Sequence, residues 1–220
     1  MMYYEIIDFE FFIFFSIIFL FIIIIINYRF IIANYFKIID VPNERKIHKD
    51  PTPLIGGISY FLTILILLIY IFFKNQVNIE KFISLVSIYT VFFFIGFFDD
   101  IKSLSAKLRT FLVITSLILL IIFDKDFVIY NLNFKSFNSI YNLNYFSSLF
   151  TLFCIFALYN ALNFIDGHNG SATSIILFWS IYLFMKHPNI LYLVIILISL
   201  LIFLYNLSGK LFLGNSGTSL

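Results

Sequence analysis

Apolar residues in this chain come in long, charge-free windows rather than in short amphipathic stretches. The windows run over residues 11–28, 54–73, 82–98, 145–165, 169–185 and 189–209. A bilayer core about 30 Å thick takes roughly 20 apolar residues of helix, within a working range of about 17–25. A seventh window, 110–123, is shorter and reaches that length when Lys107 and Arg109 snorkel to the interface. One such window could be a buried helix of a soluble protein, but seven in 220 residues exclude that reading. The pattern predicts an all-α, polytopic membrane bundle of about seven transmembrane helices, forming one membrane-embedded domain over residues 1–220. The exception is residues 126–144, rich in Ile, Tyr, Phe and Asn, which read either as a short β-hairpin or as a plain loop.

Composition sharpens this. Hydrophobic residues make up 62% of the chain, charged residues 12%, and the mean hydropathy is +1.03. Soluble domains carry about twice that share of charge. Glu5, Asp8 and Glu10 precede the first apolar window, where a cleavable signal would carry basic residues, so the first helix is expected to stay. Cys154 is alone and inside a predicted span, which excludes a disulfide framework. A net charge of +2 gives no reason to expect nucleic acid as a partner.

With seven spans the connecting segments alternate sides. One side then holds Arg29, Lys37, Arg45, Lys46, Lys49, Lys102, Lys107, Arg109 and Lys210; the other holds Lys74, Lys81, Lys125, Lys135 and Lys186. The positive-inside bias assigns the first set to the cytoplasm.

The unusual polar residues all fall on that side. Asp40-Val-Pro-Asn-Glu-Arg-Lys-Ile-His48 leads to Pro51, Pro53 and Gly56-Gly57, where basic side chains beside a helix N-terminus suit an anionic ligand. A basic loop that touches anionic lipid is an equal alternative. Asp99 and Asp100 end a wholly apolar helix, a costly placement unless they meet a cation, and acidic pairs near phosphate are a usual way to hold Mg²⁺. Lys107 and Arg109 would steady phosphates, or else pair with those two acids. Asn160 and Asn163 share a helix face, and Asp166 extends the set if the helix runs one turn further. Such a set can finish a metal or sugar site, or form an interhelical hydrogen-bond patch with a helix cap. Backbone amides of the Gly/Ser loop from Gly209 to Ser219 could cradle phosphate oxygens.

In this order the four segments resemble the polyprenyl-phosphate N-acetylhexosamine-1-phosphate transferases, which include the peptidoglycan translocase. The matching pieces are Asp40-Val-Pro-Asn-Glu-Arg-Lys-Ile-His48, Gly96-Phe-Phe-Asp99-Asp100 with Leu104-Ser-Ala-Lys-Leu-Arg109, Asn160-Ala-Leu-Asn163-Phe-Ile-Asp166-Gly167, and Phe212-Leu-Gly-Asn215-Ser-Gly217. The resemblance implies transfer of a sugar-1-phosphate from a UDP-N-acetylhexosamine to undecaprenyl phosphate. UMP is released at the cytoplasmic face of a bacterial inner membrane, and cell-envelope polysaccharide synthesis is initiated. It implies Mg²⁺ as cofactor, with Mn²⁺ as the alternative, and a homodimer as a candidate assembly. By that likeness Asp99, Asp100 and Asp166 are catalytic; Arg45, His48, Lys107, Arg109 and Asn160 bind substrate; Asn163, Asp166 and Asn215 face the metal. The Arg-Lys-x-His48 signature points to the GlcNAc branch, since the translocases lack it.

Two departures accompany the resemblance. Asn215 stands where the family usually places an aspartate that binds Mg²⁺, and the family normally continues through further helices and a histidine-rich loop. The chain therefore reads as the N-terminal part of a larger family fold. The competing readings are an inactive remnant or lipid- or nucleotide-binding membrane protein, and an ion-coupled transporter. The transporter is disfavoured because the acids sit at helix ends rather than at mid-span.

Overall fold

A computed structural model of the chain describes residues 9–42, 50–74, 76–134, 139–166 and 168–220. The helices are α1 (Phe9–Asn27), α2 (Arg29–Phe36), α3 (Gly56–Phe73), α4 (Ile79–Lys102), α5 (Ala106–Phe123), α6 (Ser147–Ile165), α7 (Ser171–Lys186), α8 (Ile190–Leu207) and the short α9 (Gly214–Thr218). Two small antiparallel pairs accompany them. Strand β1 (Ile39–Asp40) pairs with β2 (Thr52–Pro53), and β3 (Asn131–Phe134) pairs with β4 (Ser139–Asn142), so the 126–144 segment is the hairpin rather than the plain loop.

Each of the seven apolar windows is helical, but the count of seven spans does not follow. Among the described residues four helices have spanning length and composition: α3, α4, α5 and the Asn144–Ile165 segment containing α6. The first window instead breaks at Tyr28, where α1 and α2 meet at 68°, and this bent pair is a fifth span only if counted as one. The described stretches of α7 and α8, Ser171–Lys186 and Leu191–Leu207, are apolar but shorter.

Helix α4 organises the bundle because it is apolar on two faces. On one, Phe93 and Phe97 join a core with Ile18 and Ile22 of α1, Tyr60 of α3, and Ile198 and Ile202 of α8. On the other, Phe92 and Ile95 pack with Val113 and Leu117 of α5 and Tyr159 of α6. Phe61 of α3 stacks on Phe93 at 4.0 Å between ring centres. At one end Lys81 donates to Asp124 at 2.9 Å and to Asp126 at 3.0 Å, pinning the start of α4 to the end of α5.

At the opposite end residues 209–219 fold back into the bundle. Phe212 N–H donates to the Pro53 carbonyl at 3.0 Å; Gly56 and Gly57 N–H donate to the Phe212 and Leu213 carbonyls at 3.0 and 2.9 Å. Leu211 and Leu213 are fully buried. Asn206, also buried, accepts from Gly170 N–H and donates to the Leu211 carbonyl, locking α7, α8 and this segment together. Helix α9 lies between α3 and α4. Only glycine permits that approach: a Cβ at Gly57 would meet Gly217 N and Ser216 Oγ, and one at Gly96 would meet Asn215 O and Ser219 Oγ.

Adding side-chain volume to this seam should therefore be felt. Gly96→Val is expected to lower the stability of the detergent-solubilised protein by roughly 1–3 kcal/mol or more, in the range of overpacked cores. Denaturant titration followed by Trp179 fluorescence measures it, and an unchanged midpoint would show that α9 does not dock on α4 in solution.

Candidate functional site

The site is built where α4 and α6 end and α9 begins. Asp99 and Asp100 are adjacent on a helix, so their side chains diverge by about 100° and find different partners. Asp99 is buried. Its Oδ2 accepts from Arg109 Nη1 at 2.8 Å and its Oδ1 from Leu104 N–H at 2.7 Å. It thereby closes the α4–α5 turn, where Ser105 is the N-cap of α5 and its side-chain oxygen accepts from Leu108 N–H. Here the pairing reading holds: Arg109 is committed to Asp99. Lys107 is exposed on the same turn.

Asp100 points the other way. Its Oδ1 accepts from Asn215 N–H at 2.8 Å and its Oδ2 from Ser216 N–H at 2.9 Å. These are first-turn amides of α9, which have no intrahelical partner and favour a negative charge. Gly214 makes the turn possible, at φ 75° and with a would-be Cβ 2.7 Å from Asp100 Oδ2. The loop amides expected to cradle a phosphate are thus taken by Asp100. The Gly56-Gly57 amides expected to face an anion are likewise used, by the Phe212 and Leu213 carbonyls. In both places the chain's own acceptors take these amides.

Helix α6 ends at Ile165 with Asp166 as its C-cap, where its N–H still donates to the Leu162 carbonyl one turn back. Asn163 reaches α9: its Oδ1 accepts from Thr218 Oγ1 at 3.1 Å. Asn160 bonds back to its own helix, Nδ2 to the Phe156 carbonyl at 2.8 Å. Asn215 is half-buried, with its backbone tied to Asp100. Arg45 and His48 lie outside the described residues.

At this end several carboxylates come within electrostatic reach of one another. Burial, then the Asp100 and Asp40 carboxylates, push the Asp166 carboxyl up to about 7. Asp40, on β1, is a member of the site that the sequence reading gave no role. Its only signal was an acid directly after an apolar run, at the head of the first motif. Thr218 and Asn206 were also missed, being ordinary polar residues until the chain folds back.

The donors that collect here are carboxylate and amide oxygens, the set that suits a hard cation. Among the described residues no three His, Cys, Asp or Glu side chains converge closely enough to hold a metal by themselves. The fit is therefore to an ion that keeps waters or takes oxygens from a substrate phosphate, as Mg²⁺ usually does.

Two outcomes follow from this geometry. Arg109→Ala leaves the buried Asp99 carboxylate without its cation and should cost roughly 3 kcal/mol. Asp99→Asn should cost less, and denaturant unfolding of both variants and the double variant would expose the coupling; additive effects would refute it. For Asp166, the folded protein binds the proton more tightly than the unfolded chain does. Without divalent cations stability should therefore fall as pH rises from about 4 to about 7. Asp166→Asn should flatten that slope in melting curves taken across the range.

Residues 82–220 match the family described as glycosyl transferase family 4. The chain is 32% identical over 191 residues to a phospho-N-acetylmuramoyl-pentapeptide-transferase of Prochlorococcus marinus (strain NATL2A), covering 77% of this chain and 51% of that protein. It is 31% identical over 144 residues to an undecaprenyl-phosphate alpha-N-acetylglucosaminyl 1-phosphate transferase of Escherichia coli (strain K12), covering 63% of this chain and 36% of that protein. The chain thus spans about half the length of the first relative and about a third of the second. The matched region carries α4 with Asp99 and Asp100, the end of α6 with Asn163 and Asp166, and α9, and on that match the chain belongs to glycosyl transferase family 4.

Proposed function

We propose that this chain carries the acidic centre of a membrane enzyme that transfers a sugar-1-phosphate from a UDP-N-acetylhexosamine to undecaprenyl phosphate. The observation that carries the reading is the gathering of Asp40, Asp100 and Asp166 at one end of an apolar bundle, with Asp166 pushed up to about 7 by burial and its two neighbours. Those carboxylates favour a phosphate that arrives together with a cation. Names of the relatives supply the substrate class: one acts on a phospho-N-acetylmuramoyl-pentapeptide, the other on undecaprenyl phosphate and an N-acetylglucosaminyl 1-phosphate.

In the reaction an oxygen of the lipid phosphate bonds to the β-phosphorus of the UDP-sugar, the bond from that phosphorus to the α–β bridging oxygen breaks, and UMP leaves. Asp166 and Asn163 would hold Mg²⁺, with Asn215 as a neutral third donor. Bound there, Mg²⁺ supplies charge neutralisation of the diphosphate. Asp100 fixes α9, and so sets where Asn215 and Thr218 stand relative to Asn163. Asp99 is a positioning residue, holding the α4–α5 turn through Arg109. A protonated Asp166 would bind a cation poorly, so activity should rise with pH through about 7. The bacterial relatives support placing the site at the cytoplasmic face of a bacterial inner membrane.

The test is transfer of radiolabelled sugar phosphate to undecaprenyl phosphate in membranes expressing the chain, with Mg²⁺ and with EDTA. UDP-GlcNAc and UDP-MurNAc-pentapeptide are offered separately. Metal-dependent labelling with one donor is expected, falling by about 100-fold or more in Asp166→Asn, the loss seen when a positioned charged group is removed from a reaction site. Labelling that survives EDTA or Asp166→Asn would defeat the assignment of this centre.

A further inference from the structure

The 68° break between α1 and α2 has a use that does not depend on the transferase reading. Helix α2 is about 12 Å long and, at that angle, advances only about 4–5 Å along the direction of α1. If α1 crosses the bilayer at an ordinary tilt of about 20°, α2 lies closer to the membrane plane than to its normal. Its two sides differ. Ala33 is fully buried against the bundle, while Ile31 is 66% and Tyr35 80% exposed, with Phe30 beside them. Phe36 meets Phe97 edge-on at 5.5 Å, which fixes α2 to α4 near the acidic centre.

Charge complements this apolar side. Arg29 and Lys37 stand at the two ends of α2, and residues 28–37 contain no acid. The Arg29 guanidinium lies 5.3 Å from the Phe30 ring centre, and Lys37 is exposed in a left-handed cap that ends the helix. A short helix with an aromatic side, basic ends and no acid matches an element lying in the headgroup layer of an anionic bilayer.

We infer that α2 is an in-plane interfacial anchor, its Phe30–Ile31–Tyr35 side at headgroup depth and Arg29 and Lys37 gathering anionic phospholipid around it. Each basic residue near an anionic surface is worth roughly fivefold in lipid partitioning, so local enrichment should be several-fold.

The experiment places one tryptophan on α2 in the full chain. Trp179 is the sole native tryptophan, so Trp179→Phe with Tyr35→Trp gives a single reporter, and Trp179→Phe with Val91→Trp gives a mid-span control on α4. Each is reconstituted in phosphatidylcholine vesicles containing phospholipid brominated at shallow or deep acyl positions. The α2 reporter should be quenched more by shallow bromines and the control more by deep ones. At equal mole fraction, brominated phosphatidylglycerol should quench the α2 reporter more than brominated phosphatidylcholine. Arg29→Gln with Lys37→Gln should abolish that preference while leaving the depth order intact. Strongest quenching by deep bromines would make α2 the second half of a bent span and overturn the inference. So would quenching by aqueous iodide alone, shielding from both, or a lipid preference indifferent to the two basic residues.

Discussion

The fold of this chain depends on one half-buried junction, the Asp100 carboxylate against the first amides of α9. An acid at the end of an apolar helix is expensive to desolvate, and the unpaired amides of a helix N-terminus are equally awkward to bury. Meeting at 2.8 and 2.9 Å, each satisfies the other. The junction forms only because glycine at 57, 96, 214 and 217 lets backbone pass against backbone. Through it the last described segment becomes part of the core, and α3, α4 and α6 acquire a shared end.

That junction also decides the electrostatics of the site. The two stretches with free backbone amides, at Gly56-Gly57 and at the start of α9, are neutralised internally by carbonyls and by Asp100. Among the described residues, the side chains gathered where α4 and α6 end are carboxylates and amides, and Arg109 is held by Asp99. On the proposed reading, a phosphate-bearing substrate would meet this centre together with a cation. The same residues that make the bundle stable therefore set the kind of chemistry it can host. At the far end, the Lys81 clasp on Asp124 and Asp126 fixes the other limit of the α4–α5 pair, so the site rests on a hairpin tied at both ends.

The membrane imposes the rest. Helix α4 serves two cores because most of its length is aromatic or aliphatic on both inner faces, and α6 leaves Leu149, Phe153 and Phe164 exposed, as lipid-facing helices do. Helix α2, set across the first span, carries the chain from the bilayer into β1 and Asp40.

The sequence by itself determined the helical character and the approximate position of the apolar helices, and it singled out the segments whose described polar residues meet at one end. Hydropathy over 15–20 residues is a strong signal, because the bilayer allows few alternatives to a helix. It also located Asp99, Asp100, Asn163 and Asp166, since acids and amides beside apolar runs stand out. Tertiary structure alone decided which of two neighbouring carboxylates does what, because a rotation of about 100° between Asp99 and Asp100 sends one to Arg109 and the other to α9. Only folding could show that both supposed phosphate cradles are filled by the chain itself, for a backbone amide looks the same in sequence whether its acceptor is a ligand or a carbonyl 156 residues away. The break at Tyr28 was invisible for a related reason: the run on either side is equally apolar, and what turns α2 aside is the packing of Ala33 and Phe36 on the bundle.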